Sequence, residues 1–66
     1  MTGYNYAAQK AALTRALKTG DSGKVERACV KAAREWGNQW PDDWSRWERA
    51  LRDVGSTMSM EELWNE

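Results

Sequence analysis

Apolar residues recur along this chain at helical spacing, and the residues between the apolar runs mark where each helix stops. Tyr6, Leu13 and Leu17 fall on one side at about 100° per residue, with Ala7, Ala8, Ala11, Ala12 and Ala16 among them. Asn5 has a side-chain oxygen that can accept from the first free amides, so it is the expected N-cap. Gly20 stands where a left-handed C-cap belongs, and Lys18 in the last turn faces the negative end of the dipole. The pattern predicts a first helix from Asn5 to Lys18. Gly20-Asp21-Ser22-Gly23 reads as a turn, with Asp21 or Ser22 capping a second helix from Gly23 to Trp36. Val25, Cys29, Ala32 and Trp36 step by 4, 3 and 4 and form its inner face. Lys24, Arg27, Lys31 and Arg34 step by 3, 4 and 3 on the opposite face. Val30 falls off the apolar face, at a position expected to be exposed.

Gly37 ends the second helix, and Pro41 opens the third, where its missing N–H costs nothing. Asp42 and Asp43 follow in the first turn, where negative charge suits the dipole. Trp40, Trp44, Trp47, Leu51 and Val54 step by 4, 3, 4 and 3, an apolar seam that ends at Gly55. Outside the seam, Asp42 pairs with Arg46, Glu48 with Arg52 and Arg49 with Asp53 at four-residue spacing, worth about 0.3 kcal/mol each. Ser59 followed by Glu62 is a capping-box pattern, so a short helix from Met60 to Asn65 is expected. Alone it is too short to hold. It docks on the body, docks on a partner or stays disordered.

These elements predict an all-α fold: a small antiparallel three-helix bundle with a short C-terminal fourth helix or tail. The bundle takes residues 1–55 and the tail residues 56–66. Its expected core is Tyr6, Leu13, Leu17, Val25, Cys29, Ala32, Trp36, Trp40, Trp44, Trp47, Leu51 and Val54. Four of the five tryptophans lie between Trp36 and Trp47, so they either build this core or form a binding face. The regular seam assigns Trp44 and Trp47 to the core and makes Trp36 and Trp40 a clamp between helices. Trp64 is left as the candidate contact residue.

Composition narrows the function classes. Sixty-six residues form one domain near the lower size limit, so self-association as a homodimer is expected. The chain has one cysteine and no histidine, which removes an intrachain disulfide, the commonest general base and the commonest metal ligand. No cofactor and no metal are expected. No apolar run approaches the length of a membrane span, and the first ten residues do not read as a signal peptide. The expected location is the cytoplasm. The net charge is zero, but residues 1–40 carry seven Lys/Arg against three Asp/Glu, while residues 41–66 carry three against seven. Such halves can attract each other, or a charged partner.

The candidate contact residues follow from this: the basic stripe Lys24, Arg27, Lys31 and Arg34, the acidic pair Asp42 and Asp43, and Trp64. The stripe suits an acidic protein surface or nucleic-acid phosphates. A helix-turn-helix reading meets an obstacle, because such a motif offers the start of its second helix to DNA, and here that start is Pro41, Asp42 and Asp43. Catalysis has little support. Neighbouring carboxylates on a helix point apart, and Cys29 lies on an inner face with no histidine to activate it.

The segment Trp40-Pro41-Asp42-Asp43-Trp44-Ser45-Arg46-Trp47, followed by Glu48-Arg49-Ala50-Leu51, resembles one found in small uncharacterised proteins of actinobacteriophages, especially mycobacteriophages. The similarity spans about residues 3–54, including Tyr4 to Gln9 and Ala16 to Asp21, and its specific part is the eight-residue Trp-rich segment. The resemblance implies a phage-encoded accessory protein acting in a host bacterial cytoplasm, and carries over no activity or site residues. The function expected is a non-enzymatic protein-interaction module that binds itself or a host protein. A nucleic-acid binder using the basic face of the second helix is the alternative.

Overall fold

The computed structural model describes residues 5–64, the Trp64 side chain apart. Four helices are present: α1 (Tyr6–Thr19), α2 (Ser22–Trp36), α3 (Ser45–Asp53) and α4 (Met60–Trp64), with no strand among the described residues. α1 begins where Asn5 Oδ1 accepts from the Ala8 amide at 3.1 Å. It ends at Gly20, whose φ of 70° is left-handed and whose N–H donates to the Leu17 carbonyl at 3.1 Å. One residue later Asp21 caps α2, its Oδ1 accepting from the amides of Gly23 at 2.9 Å and Lys24 at 3.3 Å.

The third helix differs from expectation. Residues 42–44 form a turn, and regular helix starts only at Ser45. The Trp44 amide donates to Pro41 O, Arg46 N to Asp43 O and Trp47 N to Trp44 O, each a three-residue step tighter than an α-helical bond. Asp43 is held here by the Tyr6 hydroxyl of α1, a tertiary contact that local spacing does not reveal. The end of α3 is as the spacing predicts. Ser56 N–H reaches back to Leu51 O and Gly55 N–H to Arg52 O around a Gly55 φ of 74°, the paired bonds of a Schellman motif.

α2 is the central element, packing against α1, α3 and α4, while α3 also touches α1 and α4. The core is Leu13, Ala16, Val25, Cys29, Ala32, Trp36, Trp47, Ala50, Leu51 and Met60. Two corrections to the expected core follow. Trp40 and Trp44 are only half-buried against it, because α3 starts after them and they sit in the connection and turn, and Tyr6, Leu17 and Val54 are half-buried as well. Met60, expected in a tail, is completely buried. A side chain of this kind is worth about 1.5–3 kcal/mol when buried, so α4 is held by its own anchor rather than by helix propensity.

Candidate functional site

The aromatic residues meet at one end of the packed helices. Trp36 stands edge-on to Trp47, with ring centroids 5.3 Å apart and an interplanar angle of 83°. Tyr6 lies 6.1 Å from Trp36, Trp40 lies 5.1 Å from Trp36, and Trp44 lies 6.2 Å from Trp40, all edge-to-face. This is the arrangement that ring quadrupoles favour, worth about 0.5–1.5 kcal/mol per pair beyond burial. The buried indole N–H groups are satisfied. Trp36 Nε1 donates to Gln9 Oε1 at 2.9 Å, and Trp47 Nε1 donates to the Tyr6 hydroxyl at 3.2 Å. Tyr6 in turn donates to Asp43 Oδ1, and Arg46 Nε donates to Asp43 Oδ2 at 3.3 Å. The Tyr6 bond holds the Asp43 carboxyl below its ordinary value, with the positive charges of Arg46 and Lys10 adding to it. Burial, then the bond to Asp43, pushes the Tyr6 hydroxyl up.

Two more carboxylates hold the segment between α3 and α4. Glu26 of α2 accepts from the Ser56 hydroxyl at 2.5 Å, and Ser56 Oγ accepts from the Met58 amide at 3.0 Å. Glu48 of α3 accepts from the Met60 amide at 2.8 Å, satisfying a free N–H at the start of α4. Cys29 is fully buried, with its Sγ 4.0 Å from the Trp47 carbonyl. Burial, then the charges of Glu48 and Glu26, push its thiol up to about 12. Its thiolate is suppressed at neutral pH, so Cys29 acts as a small core residue.

The outer face of α2 is built differently. Lys24, Arg27, Lys31 and Arg34 are all exposed. The two carboxylates of the same helix are engaged by neutral partners: Glu26 by Ser56, and Glu35 by Gln9 Nε2 at 2.6 Å. Among the described residues the ion pair within 4.0 Å is Arg46–Asp43, so the four cations of α2 have no counter-charge at that range. On one flank of this ridge lies a cleft of about 610 Å³, lined by Val30, Ala33, Arg34, Gly37, Asn38, Trp40, Met58 and Leu63. On the other flank, a smaller groove of about 190 Å³ runs between α1 and α2 over Ala8, Ala12, Ala28 and Ala32, with Lys31 and Glu35 also lining it.

The predicted contact residues thus separate. Lys24, Arg27, Lys31 and Arg34 share one exposed face, and Asp42 is exposed in the turn before α3. Asp43 is partly exposed in the same turn, with its carboxylate bonded by Tyr6 and Arg46. The indole of Trp64 lies outside the described residues. The cleft was missed by spacing alone. Its sequence signal was Val30, the apolar residue off the inner face of α2, together with Met58 and Leu63 in the supposed tail. Among the described residues, no group of three or more His, Cys, Asp or Glu is placed to hold a metal ion, and no helix is long and apolar enough to cross a membrane. Comparison with protein-family models, curated proteins and solved structures gives no significant match to this chain.

Proposed function

We propose that this chain is a non-enzymatic protein-interaction module whose contact surface is the outer face of α2. The observation that carries the proposal is the ridge of four exposed cations, none of which has a carboxylate within 4.0 Å among the described residues. The scaffold beneath it is read as an antiparallel three-helix bundle carrying α4. The contacts of Tyr6, at the start of α1, with Trp36, at the end of α2, support that arrangement, as does the Trp36–Trp47 pair at the start of α3. The resemblance to small actinobacteriophage proteins supports an accessory role in a bacterial cytoplasm. A homodimer is the other form this reading takes.

Nucleic-acid binding is the second reading, favoured by the same cations. The wild-type chain and a Lys31→Glu/Arg34→Glu variant, each immobilised and exposed to nuclease-treated bacterial lysate, separate the two. Proteins retained by the wild type and lost from the variant are the expected result. Oligonucleotide binding with a steep salt dependence, lost in the variant, together with no nuclease-resistant protein capture, would overturn the proposal.

A further inference from the structure

The cleft beside Arg34 has a floor and two unlike edges, and these define what can fill it. Val30 and Ala33 from α2, Trp40 from the α2–α3 connection, Met58 from the next connection and Leu63 from α4 supply apolar lining. Its volume is about 610 Å³. Arg34 lines the cleft on the α2 side. Arg27 lies seven residues earlier on the same helix, about 10 Å along its axis and about 20° around it. Both are within about 60° of Val30 around the helix, so Arg27 continues, two turns earlier, the cationic side that Arg34 gives the cleft. Lys31 lies on the opposite flank of the ridge, at the edge of the groove toward α1. The other edge of the cleft is α4, where Glu62 is exposed next to Leu63.

We infer that this cleft takes an amphipathic segment of another protein, apolar on the side that enters the cleft and acidic along the edge that lies against Arg27 and Arg34. The inference rests on the protein-interaction reading given above. A helix of two to three turns fits the spacing of the two arginines, in the manner of helix-in-groove recognition. Arg presents a planar fork that matches carboxylates in pairs, which a Lys does not. A nucleic-acid strand is a poorer occupant. It would leave the apolar floor unused, whereas an amphipathic peptide can fill the floor and confine its carboxylates to the arginine edge. Neither arginine has a carboxylate within 4.0 Å among the described residues.

The test is selection of displayed random peptides, about sixteen residues or roughly four helical turns long, on the folded full chain. The expected outcome is enrichment of sequences with large apolar residues at helical spacing and an excess of Asp and Glu on one flank. Val30→Asp, a partly exposed position whose variant folds if its thermal melt stays cooperative, should abolish their binding. Arg34→Glu should weaken it about tenfold or more, and Arg27→Glu/Arg34→Glu should prefer Lys-for-Glu versions of the same peptides. Three results overturn the inference: enriched peptides with no acidic bias, peptides whose binding survives both Val30→Asp and Arg34→Glu, or no enrichment at all. A wild-type mass that doubles and returns to one chain in Val30→Asp also overturns it, by making a second copy the occupant. Peptides without acidic bias that still compete with a captured protein leave the interaction module standing, while salt-sensitive oligonucleotide binding with no protein capture removes both.

Discussion

The Tyr6 hydroxyl and the Asp43 carboxylate bias each other's titration in opposite directions, and the sign of each sets a limit on the pH range of stability. Asp43 is held below its ordinary 3.8, chiefly by the Tyr6 hydrogen bond, so its contribution is present above that value and fades as pH falls through the lower folded value. Tyr6 is raised above 10.0, chiefly by burial, so its contribution is present below 10.0 and is lost as pH rises further. Cys29 begins to matter earlier. Its unfolded thiol ionises near 9.0 while the buried one holds its proton up to about 12, so stability drains across that window. Thermal melts are therefore expected to show a plateau between about pH 4 and pH 9, with a decline on both sides. Tyr6→Phe should flatten the acid limb, because Asp43 loses the donor that depresses it. Cys29→Ala should make the alkaline limb shallower between 9.0 and 12, leaving the part that Tyr6 contributes. An acid limb in Tyr6→Phe as steep as that of the wild type would show that the Tyr6–Asp43 bond does not govern it.

At the scale of elements, α4 has five residues and no means of standing alone, yet it is held firmly at its N-terminal end. Glu48 takes the Met60 amide, Ser59 Oγ takes the Glu61 amide at 3.1 Å, and the Met60 side chain enters the core. Met60→Ala is expected to cost about 2–5 kcal/mol, as for other truncations of a buried Met. Deleting residues 57–66 should cost at least as much, read as a fall in the urea midpoint with reduced cooperativity. Loss of less than about 0.5 kcal/mol in either variant would mean that the side chain is not a core residue. The caps at Asn5, Asp21 and Gly55 were legible because each is a local bond within a few residues. The late start of α3 and the burial of Met60 were not, because each depends on a partner far along the chain: Tyr6 for Asp43, thirty-seven residues away, and Glu48 for Met60, twelve away. The cationic stripe was legible as a face from its spacing. The cleft beside it was not, since Val30, Trp40, Met58 and Leu63 come together only after folding.

For the whole molecule, the tryptophan seam divides into a buried half and a rim, and that division makes a quantitative prediction. A domain of 66 residues has roughly 3–10 kcal/mol of stability in total, taking about 0.05–0.15 kcal/mol per residue. Trp47 is fully buried, stands edge-on to Trp36, and bonds through its N–H to Tyr6, so it joins α1, α2 and α3 in one cluster. Trp47→Ala removes about 3–5 kcal/mol of packing and strands the Tyr6–Asp43 pair. That loss takes between about a third and all of the total, so the urea midpoint of the variant should fall steeply. Trp44 is half-buried and touches the cluster through Trp40, so Trp44→Ala should cost only about 1–2 kcal/mol and leave a cooperative melt. Equal spacing along the chain assigns both indoles the same role, whereas the packing separates them by several kcal/mol. Urea denaturation of the two variants decides between these accounts. Similar midpoints would mean that the seam is shared evenly between them. A folded Trp47→Ala beside an unfolded Trp44→Ala would place the structural centre at the turn before α3 rather than within the helix.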